Sequence, residues 1–208
     1  MRNRAALLGI ISVGLLAVAF TQSEKKAISN SNLTVPQIAG KNLFTLKKCL
    51  DCHTLGDKAE GKLTPVTNKR NDDFFSEHVK KESPLVLREE KSKRRQKRVL
   101  KAEIVALDEF LYNTKPAARK QIDEMTESSF EGAYFVYQNN CMNCHKIAEY
   151  GKDVGPDLSK VGGEHDKKWL VANLQDPKQF AEDTVMPKFD FLPKETQEAI
   201  AEYLSSLK

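Results

Sequence analysis

The chain has 208 residues, a net charge of +4, a mean hydropathy of −0.52 and 30% charged side chains. That is the composition of a polar, water-soluble protein rather than one built from membrane helices. The positive balance alone would admit a nucleic-acid binder, but the export signal and paired cysteine motifs described below argue against that, and no nucleic-acid partner is expected.

Met1-Arg2-Asn3-Arg4 precedes an apolar run from Ala5 to Phe20. Two early positive charges, a short apolar stretch and the small residues Ala17-Val18-Ala19 predict a secretory signal over residues 1–22. Left uncleaved, the same run is at the lower edge of the length of a bilayer span and would act as an N-terminal anchor. Either way the remainder is expected in the periplasm or another extracytoplasmic space, attached to a membrane only through that segment. About 185 residues then remain, enough for two small domains of ~85–95 residues with little core of their own.

After a polar lead-in from Ser23 to Asn32, Val35-Pro36 opens a helix with its body over Ile38 to Lys48. This helix runs into Cys49-Leu50-Asp51-Cys52-His53. Thr54 to Arg70, rich in Gly, Asp, Lys and Thr and carrying Pro65, predicts a covering loop. Asp72 to Lys81 suggests a short helix with Phe74, Phe75 and Val79 on one side, ended by Ser83-Pro84. Arg88 to Lys101 is strongly basic, and Lys101 to Tyr112 is amphipathic, with Ile104, Leu107, Phe110 and Leu111 at helical spacing. Asn113 to Thr126, with its proline and mixed charges, reads as a linker.

The plan then repeats. Glu127 to Asn140 predicts a helix running into Cys141-Met142-Asn143-Cys144-His145, and Gly132 answers Gly40, each nine residues before its motif. Gly155-Pro156-Asp157-Leu158 answers Leu63-Thr64-Pro65. A helix over Lys167 to Leu174 is closed by Asp176-Pro177, and Met186-Pro187 follows. Pro193 opens a last helix with Ile200, Tyr203, Leu204 and Leu207 apolar. Aligned from the back, Val99 to Leu111 lies on Leu192 to Leu204 at an offset of 93, which also places Pro84 on Pro177. The offset at the cysteine motifs is 92, so the pattern reads as an internal duplication.

All four cysteines fall in the two C-x-x-C-H stretches. This spacing is the attachment signature of c-type haem. Two thiols about one helical turn apart reach the two vinyl groups on one porphyrin edge, and the adjacent histidine offers its imidazole to the iron. Zinc, dithiol and disulfide readings of C-x-x-C fit less well. Zinc ribbons bring their pairs together over about 15–20 residues, and a redox dithiol does not call for a trailing histidine. Two covalently bound haem c groups are therefore expected, on Cys49 and Cys52 and on Cys141 and Cys144, with His53 and His145 as proximal ligands by position.

Each half resembles a class I cytochrome c domain, and the whole is similar to a two-domain dihaem cytochrome c over residues 36–112 and 127–208. The resemblance implies an all-α fold of two tandem domains, 33–112 and 127–208, joined by residues 113–126, each with three to four helices around a covalently bound haem. It implies that Gly40 packs against the helix of Phe110 and Gly132 against that of Tyr203. It makes Met186, in its Met-Pro turn, the distal ligand of the second haem. It also makes Pro156 the residue whose carbonyl orients the proximal imidazole by fixing its tautomer, with Pro65 as the counterpart in the first half. His165 is expected in a surface loop.

The first half departs from the family pattern, because residues 54–112 contain no methionine. The ungapped alignment puts Lys93 where Met186 stands. Four readings of the first haem's distal side stay open: Lys93 or another lysine within 91–97, His78, an open or water-filled position, and Met125 folding back from the linker. A nitrogen donor stabilises ferric iron more than a thioether does, whereas Met/His ligation raises the potential. Electrons are thus expected to run from the first haem to the second.

The expected function is one-electron transfer between extracytoplasmic redox partners, as a free carrier or a relay subunit, by an electron-transfer protein rather than an enzyme. The alternative is a haem enzyme acting on peroxide or sulfur compounds at an open first haem. Residues 24–112 carry 19 basic and 13 acidic side chains, residues 113–208 carry 12 and 16. The basic segment 88–101 reads either as a solvated loop or as a docking surface for an acidic redox partner, since opposite fields speed encounter.

Overall fold

Proline has no N–H to donate, and the first turn of a helix is where that loss is free. Pro36 stands there: in the computed structural model, which describes residues 33–55, 64–66, 71–82 and 92–208, helix α1 runs over Val35–Leu46. The Gln37 side chain accepts from the Thr34 backbone N–H at 2.9 Å and closes the helix start. The expected signal or anchor over residues 1–22, most of the expected covering loop, the Ser83-Pro84 helix stop and the first basic residues, Arg88 to Lys91, lie outside the described residues.

Strands β1 (His53–Thr54) and β2 (Thr64–Pro65) follow, then helices α2 (Asp72–Glu82), α3 (Lys93–Tyr112), α4 (Pro116–Asp123) and α5 (Glu127–Gln138). Strands β3 (Lys146–Ile147) and β4 (Tyr150–Gly151) come next, and helices α6 (Val161–Glu164), α7 (Lys167–Gln175) and α8 (Lys194–Ser206) complete the chain. The described chain is mostly helical, in agreement with the all-α expectation; the two-residue strands pair parallel as β1–β2 and antiparallel as β3–β4. Among the described residues, no helix is long and apolar enough to cross a membrane.

The core is built on two helix crossings, α1 on α3 and α5 on α8. Each is made at a glycine. A Cβ on Gly40 would collide with the Ala106 carbonyl and stand 2.5 Å from Phe110 Cβ. A Cβ on Gly132 would collide with the Ala199 carbonyl and stand 2.7 Å from Tyr203 Cβ. The resemblance led to both pairings, and the structure has both. Phe44, Phe110, Ile200 and Tyr203 are fully buried around these crossings. Gly40→Ala and Gly132→Ala are each expected to cost about 1–3 kcal/mol through backbone separation. Thermal unfolding followed by circular dichroism should show this as a fall of about 2–4 °C per kcal/mol for a chain of this size.

Three boundaries differ from the sequence expectations. Helix α1 stops at Leu46, short of Lys48, because Lys48 turns into the left-handed region (φ 53°); α5 stops at Gln138 with Asn140 at φ 58°. Helix α3 begins at Lys93, well before Lys101, so the described part of the basic run is helical. Lys, Arg and Gln are good helix formers even where no apolar period announces them. The expected linker 113–126 contains α4, whose Ile122 is fully buried. The Arg119 guanidinium donates to the Phe110 and Leu111 carbonyls at the end of α3 and lies 4.4 Å over the Phe110 ring. Burial lowers the Arg119 pKa from its ordinary value.

The halves also share an interface, where α1 packs on α5. The Tyr137 hydroxyl donates to the Ala102 carbonyl at 3.1 Å, and Lys41 Nζ lies 2.9 Å from an Asp123 carboxylate oxygen. Lys47 Nζ lies 2.8 Å from Glu103 Oε2 with both side chains nearly sealed from solvent, at 4% and 3% exposure. Glu103 Oε1 is buried without a hydrogen-bond partner. Burial raises the Tyr134 phenol strongly, and the Glu103 carboxylate nearby adds to the shift.

Candidate functional site

Both C-x-x-C-H stretches fold alike, and the cause is local. A left-handed residue, Lys48 or Asn140, breaks the incoming helix; a single 3-10 turn follows, over Cys49–Asp51 and Cys141–Asn143. Side chains three apart eclipse in such a turn, which aligns the two thiols of each pair. Cys52 N–H donates to the Cys49 carbonyl at 3.2 Å and Cys144 N–H to that of Cys141 at 3.1 Å. Cys49 and Cys141 are half-buried, Cys52 and Cys144 are exposed, and all four are thiols rather than disulfides. Burial pushes the Cys141 thiol up to about 11 and raises Cys49 as well. A reactive redox dithiol needs the opposite shift. Among the described residues, no three His, Cys, Asp or Glu side chains converge as a metal site, so the two C-x-x-C pairs do not form one zinc centre.

At the second motif, His145 Nδ1 lies 2.8 Å from the Pro156 carbonyl oxygen. A carbonyl can only accept, so Nδ1 carries a proton, and in the neutral ring the lone pair is then on Nε2. The Gly155 backbone lies against the imidazole: a Cβ there would come 2.8 Å from Cε1 and 3.0 Å from Nδ1. Val154 and Gly155 donate their N–H groups to the Cys144 carbonyl at 3.0 and 2.6 Å. Asp157 Oδ1 accepts from Ser159 N and Oγ at 2.8 and 2.5 Å, which lowers its pKa and ties the loop beyond Pro156.

Met186 is half-buried in an irregular segment and packs against the core. Its N–H donates to Thr184 Oγ1 at 3.2 Å, and Phe189 N–H anchors the segment to the Leu174 carbonyl at 2.8 Å. The apolar residues just before Gly155 and Met186 are open to solvent: Val154 is 68% and Val185 88% exposed. His165 stacks on Trp169 with ring centroids 3.5 Å apart.

The first motif has the same ladder. Val66 N–H donates to the Thr54 carbonyl at 3.2 Å, as Leu158 N–H does to that of Lys146 at 2.8 Å. In register, His53 pairs with Thr64 and Thr54 with Pro65, while Lys146 bridges to Asp157. This matches Thr64 to Pro156 and Pro65 to Asp157. The sequence comparison paired the two prolines, one residue out of this register, because proline is the conspicuous residue in each loop.

Among the candidates for the distal side of His53, the structure brings His78 to it. Their ring centroids are 5.8 Å apart with planes at 79°. Phe74, one turn earlier on α2, stacks on His78 at 5.9 Å with planes at 4°. Phe75 meets Tyr112 of α3 edge-on at 5.7 Å, and Val79 is buried, so α2 is held in place. Lys93 is exposed as the first residue of α3, and Met125 packs half-buried against the core beside α4. The buried pair Lys47 and Glu103, which joins the end of α1 to α3, was not anticipated; two charged residues far apart in the chain carry no sequence signal of their meeting.

A family model described as "Cytochrome C oxidase, mono-heme subunit/FixO" matches residues 150–206. "Cytochrome c oxidase subunit 2" of Alkalihalophilus pseudofirmus is 29% identical over 97 residues, 42% of this chain and 28% of that protein. The chain thus covers less than a third of that relative's length. No solved structure matches. Both likenesses agree with the resemblance to cytochrome c. They also correct one expectation, that of an electron-transfer protein rather than an enzyme: both matches are to subunits of an oxidase.

Proposed function

We propose that the chain is a dihaem cytochrome c that passes electrons one at a time as a subunit of a cytochrome oxidase complex. The observation that carries this reading is the pair of equivalent C-x-x-C-H turns, each followed eleven residues later by the residue matched to Pro156. The donor set suits an iron porphyrin. Paired thiols stand next to an imidazole whose Nδ1 is engaged by a carbonyl, a glycine leaves the ring face clear, and Val154, next to that glycine, offers exposed apolar surface.

In this reading Cys49 and Cys52, and Cys141 and Cys144, hold the two haems as two tandem domains, 33–112 and 127–208. His53 and His145 are axial ligands, and Met186 completes the second site. The Pro156 carbonyl, and in the first half the Thr64 carbonyl, fix the imidazole tautomer. A bound haem would supply a one-electron couple at each site. The protein's share is to set the axial ligands, orient them and limit water. The exposed basic face of Lys93, Arg94, Lys97, Arg98 and Lys101 is the docking surface for an acidic redox partner. The N-terminal segment places the whole outside the cytoplasm.

The test is a pyridine haemochrome assay on the purified full chain, joined to affinity capture from membranes. Two haem c per chain and co-purification with oxidase subunits are expected. Zero or one haem overturns the dihaem reading, and a chain recovered alone overturns the subunit assignment.

A further inference from the structure

We infer that His78 is the second axial ligand of the first haem, giving that site two imidazoles. This rests on the dihaem reading above and names the group it leaves open. With metal–imidazole bonds of about 2.0–2.1 Å, two imidazoles on opposite sides of one iron put their ring centroids roughly 6 Å apart. His53 and His78 stand at 5.8 Å. Both rings are half-buried, and each reaches the pair from a different element, β1 and α2.

The helix that carries His78 is held in place. Phe74, one turn back, lies parallel to the His78 ring and offset from it, and α2 is packed through Val79 and through Phe75 on Tyr112.

The second half shows why the ligand comes from this helix. There Met186 sits in an irregular segment between Gln179 and α8, where the backbone can bring a side chain inward. In the first half the residue aligned with Met186 is Lys93, which has been taken into α3 and faces solvent. With that segment wound into helix, α2 supplies the donor, and the position aligned with His78 in α7 is Val171, which has no donor atom. Two imidazole nitrogens favour ferric iron over a His/Met pair, so the first site is the low-potential one.

The experiment uses the full, haem-loaded chain and reads EPR, near-infrared magnetic circular dichroism and a spectroelectrochemical titration for wild type, His78→Met, His78→Ala and Lys93→Ala. Wild type should give one His/Met signal and one bis-imidazole low-spin signal, the latter with the large anisotropy of near-perpendicular ring planes. His78→Met should convert the second signal to a His/Met type and raise that potential. His78→Ala should lose it, and Lys93→Ala should keep it. A lysine-type signal lost in Lys93→Ala, a high-spin first haem in wild type, or a bis-imidazole signal that survives in both His78 variants would each overturn the proposal. The haemochrome count separates this from failure of the underlying reading: fewer than two haems in wild type sinks the dihaem assignment itself. If the His78 variants do not fold, the wild-type spectra and Lys93→Ala still decide the ligand.

Discussion

Met186→Ala is expected, on the proposed dihaem reading, to lower the potential of the second site by about a hundred millivolts or more, within the ~0.8 V range that axial ligation spans. Thioether sulfur stabilises ferrous iron, and its loss leaves water or a nitrogen donor in its place. The sulfur-to-iron charge-transfer band should vanish from the ferric spectrum. Folding should be little affected, because Met186 lies outside the helix crossings and is only partly buried. Direct electrochemistry on the variant checks the shift. An unchanged potential together with an intact charge-transfer band would mean that another residue is the ligand. A lower second potential also takes driving force from electrons that enter at the first haem, so transfer between the two sites should slow.

Lys47→Ala is expected to destabilise the chain by about 3–5 kcal/mol, more than any surface charge removal. The variant leaves the Glu103 carboxylate buried without its ammonium, with Oε1 already lacking a partner. Replacing both residues, as Lys47→Met with Glu103→Leu, should recover much of that loss, because no charge then needs solvation inside the protein. Urea unfolding of the two variants and the wild type measures the difference. Equal stability of Lys47→Ala and wild type would show that the pair opens to water in solution. Lys47 also lowers the Cys49 thiol, partly offsetting burial.

Part of this was legible beforehand because the chain repeats itself. The two C-x-x-C-H stretches fold into the same turn, and the glycines nine residues before them both stand at helix crossings. Other features were hidden for physical reasons. Helix α4 buries little beyond Ile122, too little to show a period, and is secured by an arginine fork on carbonyls that no pattern forecasts. The start of α3 lies in a run of Lys and Arg whose helicity has no hydrophobic stripe. The match of Thr64 to Pro156 is a matter of ladder register, which side-chain identity obscures. His78 could be named as a candidate but not preferred over Lys93, because a helix said to carry a histidine does not reveal which way that histidine faces.

Helix α4 has a bearing on how the molecule meets other proteins. A floppy tether would let one half explore while the other stays docked, trading encounter rate against a wide spread of poses. Here the tether is wound, its arginine is latched to the last carbonyls of α3 and its isoleucine is sunk in the core. With that latch and with α1 packed on α5, a partner that docks at one C-x-x-C-H turn is expected to find the other at a set bearing.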